Sequence, residues 1–594
     1  MDTHTIEDRA DTALRSTGRR AFLRGSVAAA AAPMVLTSRK SAAQTAFPLF
    51  YPPSPPVQAW KAFLPNLPAV LKPVAALDPP PTELANIGGG EAGRNDHQRF
   101  AELGNNPVLY ELHAKENPDW VFNPAYPPQP IWGWEGSTPG ITTPGPTLTM
   151  RYGRPAIVRI YNDLPLDHIG FGTPEISTHL HNGHDTSESD GFPGDFYSSL
   201  KAGPNLTTPG NFCDRFYPNV CAGLDEFGGY GDSREALGTC FYHDHALDFT
   251  APNVLKGLVG MVFMYDTLDS GNERTTNPAA LHLPSYPFDY PLAFGDKRFD
   301  ADGMLFYDQF NPEGVLGDMV CVNGKIKQVL RVARRKYRFR MLNGGPSRYY
   351  LFSLVDPNFI LQPFTYIAND GNLLPHPLRD RHEVKLAPAE RGDIVVDFSR
   401  YPIGTVLYIV NRMLQNLTRR PHGISGTGVR VLKIVVNREP PRPDVSQVPD
   451  DLRPLRPITH EEIAAAPVRH FEFDRAGGLW TINGELFDLA SPRFTMRQGQ
   501  AEVWELVSMN DGWVHPVHVH FEEGRIVGKV VNGVEVPVPP EEQGRKDVYD
   551  LPEGPDSMLR VFIRFRDFRG KYVMHCHNLV HEDHAMMLRF DVEP

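Results

Sequence analysis

His575-Cys576-His577-Asn578-Leu579-Val580-His581-Glu582-Asp583-His584-Ala585-Met586, close to the C-terminus, opens with a cysteine held between two histidines. On an extended strand successive side chains point to opposite faces, so Cys576 faces away from both His575 and His577. A second stretch, His515-Pro516-Val517-His518-Val519-His520, obeys the same arithmetic, because His515 has the opposite parity to His518 and His520. If both stretches are strands, Cys576 and His515 share one face and the other histidines share the opposite one. Such a pattern asks for β-structure with chemistry on both faces.

The rest of the chain reads the same way. Ala156-Ile157-Val158-Arg159-Ile160-Tyr161, Leu258-Val259-Gly260-Met261-Val262-Phe263, Asp393-Ile394-Val395-Val396-Asp397-Phe398 and Glu502-Val503-Trp504-Glu505-Leu506 are short β-like runs separated by turn residues. With 57 prolines and 51 glycines in 594 residues, turns and short strands are favoured over long helices. The spacing predicts an all-β protein of antiparallel sandwiches. Breaks at Asp266–Pro278 and at the Pro- and charge-rich stretch from Arg438 to Pro467 divide it into three domains: 105–265, 266–440 and 467–594, with 441–466 as linker. Residues 44–104 are Pro-rich and read as an extended strap on the surface. Gly88 to Gly93 spells G-x-G-x-x-G, but it follows no buried strand and opens no helix, so it reads as a flexible loop instead of a dinucleotide site.

Residues 1–43 read as an address. Arg19-Arg20-Ala21-Phe22-Leu23, an Ala-rich apolar run from Val27 to Leu36, and Ser41-Ala42-Ala43 follow the order of a twin-arginine export signal. The apolar run is too short to span a bilayer, so no membrane anchor is expected, and the mature protein is expected in the periplasm or outside the cell. A formal charge of −12 argues against nucleic acid and anionic membranes as partners. Oxidising surroundings make one or two disulfides plausible among Cys213, Cys221, Cys240 and Cys321.

His-x-His occurs four times: His179/His181, His243/His245, His518/His520 and His575/His577. Each pair presents two imidazoles in one direction. Eight are too many for one metal ion of low coordination number, and they suit a cluster. Nitrogen ligands alone do not name the metal, and a single His-x-His is more often a surface pair or a zinc site. Cys576 decides the matter: two histidines, a thiolate and a weak axial methionine are the blue-copper set, and His515, His581 and Met586 lie at spacings that allow it. The histidines outside this constellation, such as His97, His113, His168, His184, His376 and His382, read as surface or structural residues.

In these motifs the chain resembles the three-domain multicopper oxidases, on the branch of the spore-coat laccase, bilirubin oxidase and phenoxazinone synthase. Ile131-Trp132-Gly133-Trp134-Glu135-Gly136 and Pro144-Gly145-Pro146-Thr147 resemble the opening of the first cupredoxin domain. Val322-Asn323-Gly324-Lys325, Tyr337 to Asn343 and Leu386 to Arg391 resemble the second. His515–His520 and His575–Met586 carry the third.

The resemblance implies three cupredoxin (Greek-key β-sandwich) domains and four copper ions. His515, Cys576, His581 and Met586 would hold type 1 copper, and His179 and His518 type 2. His181, His243, His245, His520, His575 and His577 would hold the type 3 pair. The cluster would lie between the first and third domains, with the middle one spacing and orienting them. Electrons from a reducing substrate would enter at type 1 and pass through Cys576 to the cluster, where O2 becomes water. Glu582 and Asp190 match carboxylates that the family places at the cluster and its water channel; as a proton donor, Glu582 would need a raised pKa. Copper-detoxifying members tend to carry a Met-rich insertion. With 15 methionines and no Met-rich segment here, a phenolic, aromatic amine or bilirubin-like donor is favoured over Mn(II) or Cu(I). A copper nitrite reductase fits less well, since four paired motifs imply a trinuclear cluster. A non-catalytic copper-binding or structural role fits poorly with a complete ligand set.

Overall fold

The computed structural model describes residues 51–594, so the export-signal reading of residues 1–43 lies outside the described residues. Six principal sheets pair off along the chain. In the first pair, Gln129–Glu135, Val108–Trp120, Ala156–Asn162 and Phe212–Tyr217 face a sheet ordered Gly145–Arg151, Val259–Tyr265, Thr239–Asp244, Thr178–His181. Trp132, Trp134, Ile160 and Tyr242 fill the space between them. The middle pair runs from Asp289 to Arg438 around Tyr290, Phe339 and Phe352. The last pair runs from Val468 to Glu593 around Trp480, Trp504 and Phe590. These are three cupredoxin sandwiches. The described helices are all short, and none is long and apolar enough to cross a membrane.

From residue 51 to 98 the chain has almost no regular structure and runs across the sandwiches as a strap. It makes single bridges at Phe63 to Val329, Val70 to Thr147, Val74 to Leu109 and Glu91 to Phe212. Proline leaves it few backbone donors, so it adds isolated bonds and no full strand. The Gly88–Gly93 stretch is not the loose loop its composition suggests. Ala92 is fully buried and donates its N–H to Phe212 at 2.8 Å, while buried Glu91 pairs with Arg94 at 2.7 Å. Between the middle and last sandwiches, 441–466 is extended except for a helix at His460–Ala465, capped by a Thr459–Glu462 box.

The expected disulfides are absent. Cys213, Cys221, Cys240 and Cys321 are separate buried thiols. Cys213 and Cys240 contact the backbone carbonyls of Asp214 and Asn182, and Cys321 packs in a different apolar cluster from the other three. They behave as small apolar residues, which suits buried cysteine.

Charge is also buried on the outer face of the first sandwich, beneath the strap. Arg159 and Asp214, on adjacent strands of the first sandwich, are fully buried and joined by two parallel bonds of 2.7 and 2.8 Å. Removing one partner strands the other charge in a low dielectric. Arg159→Met should cost about 3–5 kcal/mol and lower the thermal transition in calorimetry, whereas Arg159→Met with Asp214→Leu should recover most of the loss. A single variant melting with the wild type would contradict this account of the pair.

Candidate metal centre

The strand His515–Val519 lies antiparallel to Gly570–Cys576, with Val517 opposite Cys576 and His518 opposite His575. Directly opposed residues share a face, so His515 and Cys576 point into the last sandwich while His518 and His575 point out of it. In the first sandwich Thr178–His181 pairs with Thr239–Asp244, placing His179 opposite His243. The eight paired imidazoles come together from these two domains.

The ligand-capable atoms fall into compact groups, each within 4.8 Å of one another: His181, His243 and His577; His245, His520 and His575; His179, His181 and His518; and His515, Cys576 and His581. Within the second group the Nε2 atoms of His245 and His520 each lie 3.3 Å from that of His575, and His179 and His518 face each other through Nε2 atoms at the same distance. Two neutral imidazole nitrogens that close gain little from each other. The separation is the chord between two nitrogens on one first-row metal ion at about 2.0 Å. Nε2 of His243 and both ring nitrogens of His577 are buried without a hydrogen-bond partner. Burial pushes His243 down to about 4 and His245 and His515 to about 3, leaving neutral rings with lone pairs to give.

On the opposite face, Cys576 Sγ lies 3.5 Å from Nδ1 of both His515 and His581. Burial pushes the thiol up, so it ionises there only against a cation. Met586 is fully buried in the same core cluster, and its carbonyl accepts the N–H of Cys576 at 3.0 Å. Trp480 stacks on His581 with ring centroids 3.7 Å apart. One tripeptide, His575-Cys576-His577, joins the thiolate site to the imidazole cluster covalently.

Three carboxylates orient the cluster, and all are buried. The two oxygens of Glu582 meet Nδ1 of His245 at 3.2 Å and Nδ1 of His575 at 3.0 Å. The raised carboxyl expected for Glu582 is overturned. Burial pushes it up, but His575 and His245 together outweigh burial and pull it down to about 2. Asp190 reaches Nδ1 of His520 at 2.8 Å, and its backbone carbonyl receives Nδ1 of His179. Burial pushes the Asp190 carboxyl well above its ordinary range. Gly191 follows at φ +85°, where a Cβ would stand 2.5 Å from His179 Cα, so only glycine lets this turn press against the histidine strand.

Asp547 is the carboxylate that sequence reasoning missed. It lies 2.7 Å from His181 Nε2 and 3.2 Å from His518 Nδ1, and Arg391 of the middle sandwich holds it at 2.7 Å. Lys546-Asp547-Val548 carries no spacing signal that would have revealed it. Of the histidines set aside, His97 is buried beside Glu188 at 3.7 Å and His184 pairs with Asp567 at 2.9 Å; both are structural.

Comparison with known proteins agrees with this geometry. Residues 453–594 match a family model described as multicopper oxidase. The bilirubin oxidase of Albifimbria verrucaria is 32% identical over 497 residues, covering 81% of this chain and 76% of that one. A laccase of Bacillus subtilis (strain 168) is 29% identical over 515 residues, covering 78% and 91% respectively. Among solved structures, the McoA multicopper oxidase of Aquifex aeolicus superposes with a TM-score of 0.65 at 24% identity, covering 82% of this chain and 96% of that one, which shows a shared fold. With a relative of that identity across most of its length and a donor set that suits copper on both faces of one strand, the chain belongs to the multicopper oxidase family, as a copper oxidoreductase that uses O2 and carries type 1, type 2 and paired type 3 copper.

Proposed function

We propose that this enzyme oxidises an organic aromatic donor, phenolic, amine or bilirubin-like, one electron at a time, and delivers four electrons to each O2. The observation that carries the site assignment is the partition of ligand atoms across one strand. On this reading His515, Cys576, His581 and Met586 hold type 1 copper, and His179 and His518 hold type 2. His181, His243 and His577 serve one type 3 ion, and His245, His520 and His575 serve the other.

Bound copper supplies one-electron acceptance on the thiolate face and O2 reduction on the imidazole face. The chain's residues do the rest. Cys576 and its two peptide neighbours give a covalent route between the faces. Glu582 fixes the rings of His245 and His575 through their Nδ1 atoms, and so acts as a positioning carboxylate. Asp190, in contact with His520, has its carboxyl pushed well above the ordinary carboxylate range because burial disfavours its anion, a direction that suits a group supplying protons to reduced oxygen. The relatives named for bilirubin and as laccases, and the lack of a Met-rich segment, support an organic donor. The ordered Arg19-Arg20, apolar and small-residue pattern supports export of the folded chain to the periplasm or beyond.

Oxygen uptake by the copper-loaded enzyme should be fastest with phenols, aromatic amines or bilirubin; faster uptake with Mn(II) or Cu(I) would overturn the substrate reading. Glutamine cannot accept from two Nδ1–H groups through both side-chain atoms. Glu582→Gln should therefore slow reoxidation by O2 about 10–100-fold while leaving anaerobic reduction of the blue site unchanged. Wild-type reoxidation in stopped flow would remove Glu582 from this role. Replacing Arg19 and Arg20 together by lysine should retain the protein in the cytoplasm on cell fractionation; unchanged export would argue against the signal.

A further inference from the structure

The type 1 ligand His581 belongs to the last sandwich, and its outer edge is closed by its neighbour Asn578 together with the middle sandwich. With Nδ1 turned toward Cys576, a neutral ring carries its proton on Nε2. That atom lies 3.1 Å from the backbone carbonyl of Glu313, in the segment 307–318 between two strands of the middle sandwich, and 2.9 Å from the side-chain amide of Asn578, which donates to the same carbonyl at 3.3 Å. The side chain of the same residue is clasped from two domains. Arg419, at the tip of the middle sandwich's Val406–Leu414/Gly423–Arg438 hairpin, donates at 3.1 and 3.0 Å. Arg475, on the strand Val468–Ala476 of the last sandwich, donates at 2.5 Å.

The residue before it is tied down as well: the Pro312 carbonyl accepts the indole N–H of Trp480 at 2.7 Å, and that indole is the one stacked on His581. Arg475 lies 5.0 Å over the same ring, and Arg419 lies 4.6 Å over Trp513. The side chains of Arg419 and Arg475 are 28% and 21% exposed, whereas His581 and Trp480 are 1% exposed. The clasp forms the boundary between solvent and ligand.

We propose that Glu313 is a positioning residue of the type 1 site: its carboxylate, held by Arg419 and Arg475, pins its carbonyl on His581 and keeps water off that ligand. The proposal rests on His581 being a type 1 ligand. Its physical effect has a definite sign. A water that replaced the carbonyl would accept the same Nε2–H, so the electron-donating power of the ring would change little. With the local net charge kept, what remains is solvent access, and a wetter site favours the oxidised, more highly charged state. Loosening the clasp therefore lowers the potential.

The test is a redox titration of the blue absorption band in the copper-loaded double variant Glu313→Ala/Arg475→Gln, which opens the clasp while leaving the net charge unchanged. It should keep full copper content and the blue band. Its one-electron equilibrium should shift roughly tenfold toward Cu(II), a fall of about 59 mV. An unchanged or raised potential in that variant with the blue band intact would overturn the proposal. A wild-type protein without a blue band would instead defeat the type 1 reading beneath it.

Discussion

Every feature of the site depends on one constraint: neighbouring side chains on a strand cannot share a face. On Gly570–Cys576 that rule turns the thiol of Cys576 into the sandwich and His575 out of it, while the pairing with His515–Val519 extends both faces across two strands. A one-residue slip between these strands would exchange the two sets of ligands. The register is held by more than the pair itself. Val548–Leu551 flanks one side and Met587–Glu593 the other, and the core of Trp504, Phe590 and Tyr572 packs beneath. Met586 stays beside Cys576 for the same reason, through a backbone bond across the turn.

A strand can aim imidazoles but cannot fix their rotation. That task falls to buried acids drawn from separate segments: Asp190 from the loop after the first histidine pair, Glu582 from the helix Leu579–Asp583, and Asp547 at the start of a strand. A negative charge on any of them is costly alone in a low dielectric, and Asp190 is pushed toward its neutral form for that reason. Asp547 is compensated by Arg391, a residue of the middle sandwich, which shows how a domain without copper motifs takes part in the cluster. The clasp at Glu313 repeats the arrangement on the other face.

Much of this was legible in the sequence, because the ligands are local and periodic. Four His-x-His pairs, one enclosing Cys576 and one preceded by His515-Pro516, announce strands, faces and metal together. The three-sandwich architecture followed from short β-like runs between turn residues. What stayed hidden depends on packing between distant segments. Asp547 sits 156 positions from Arg391, and Glu313 sits 162 from Arg475, with no spacing rule to join either pair. The ordered Gly88–Gly93 stretch was misread because its glycine content suggests freedom that the buried Glu91–Arg94 pair removes. The thiols were misread because export chemistry speaks to what can form, whereas side-chain placement decides what does. The charge state of Glu582 was misread because burial alone raises a carboxyl, and only the structure shows two imidazoles facing it.

The central claim is that one strand separates a thiolate copper from a three-copper imidazole cluster. The most direct measurement is copper content together with electron paramagnetic resonance on the oxidised wild-type protein and on Cys576→Ser. The account predicts four coppers per wild-type chain, with type 1 and type 2 signals and a silent coupled pair. It predicts three coppers in Cys576→Ser, with the type 1 signal gone and the type 2 signal kept. Loss of the whole cluster's copper in the folded variant, or retention of a type 1 signal, would contradict it.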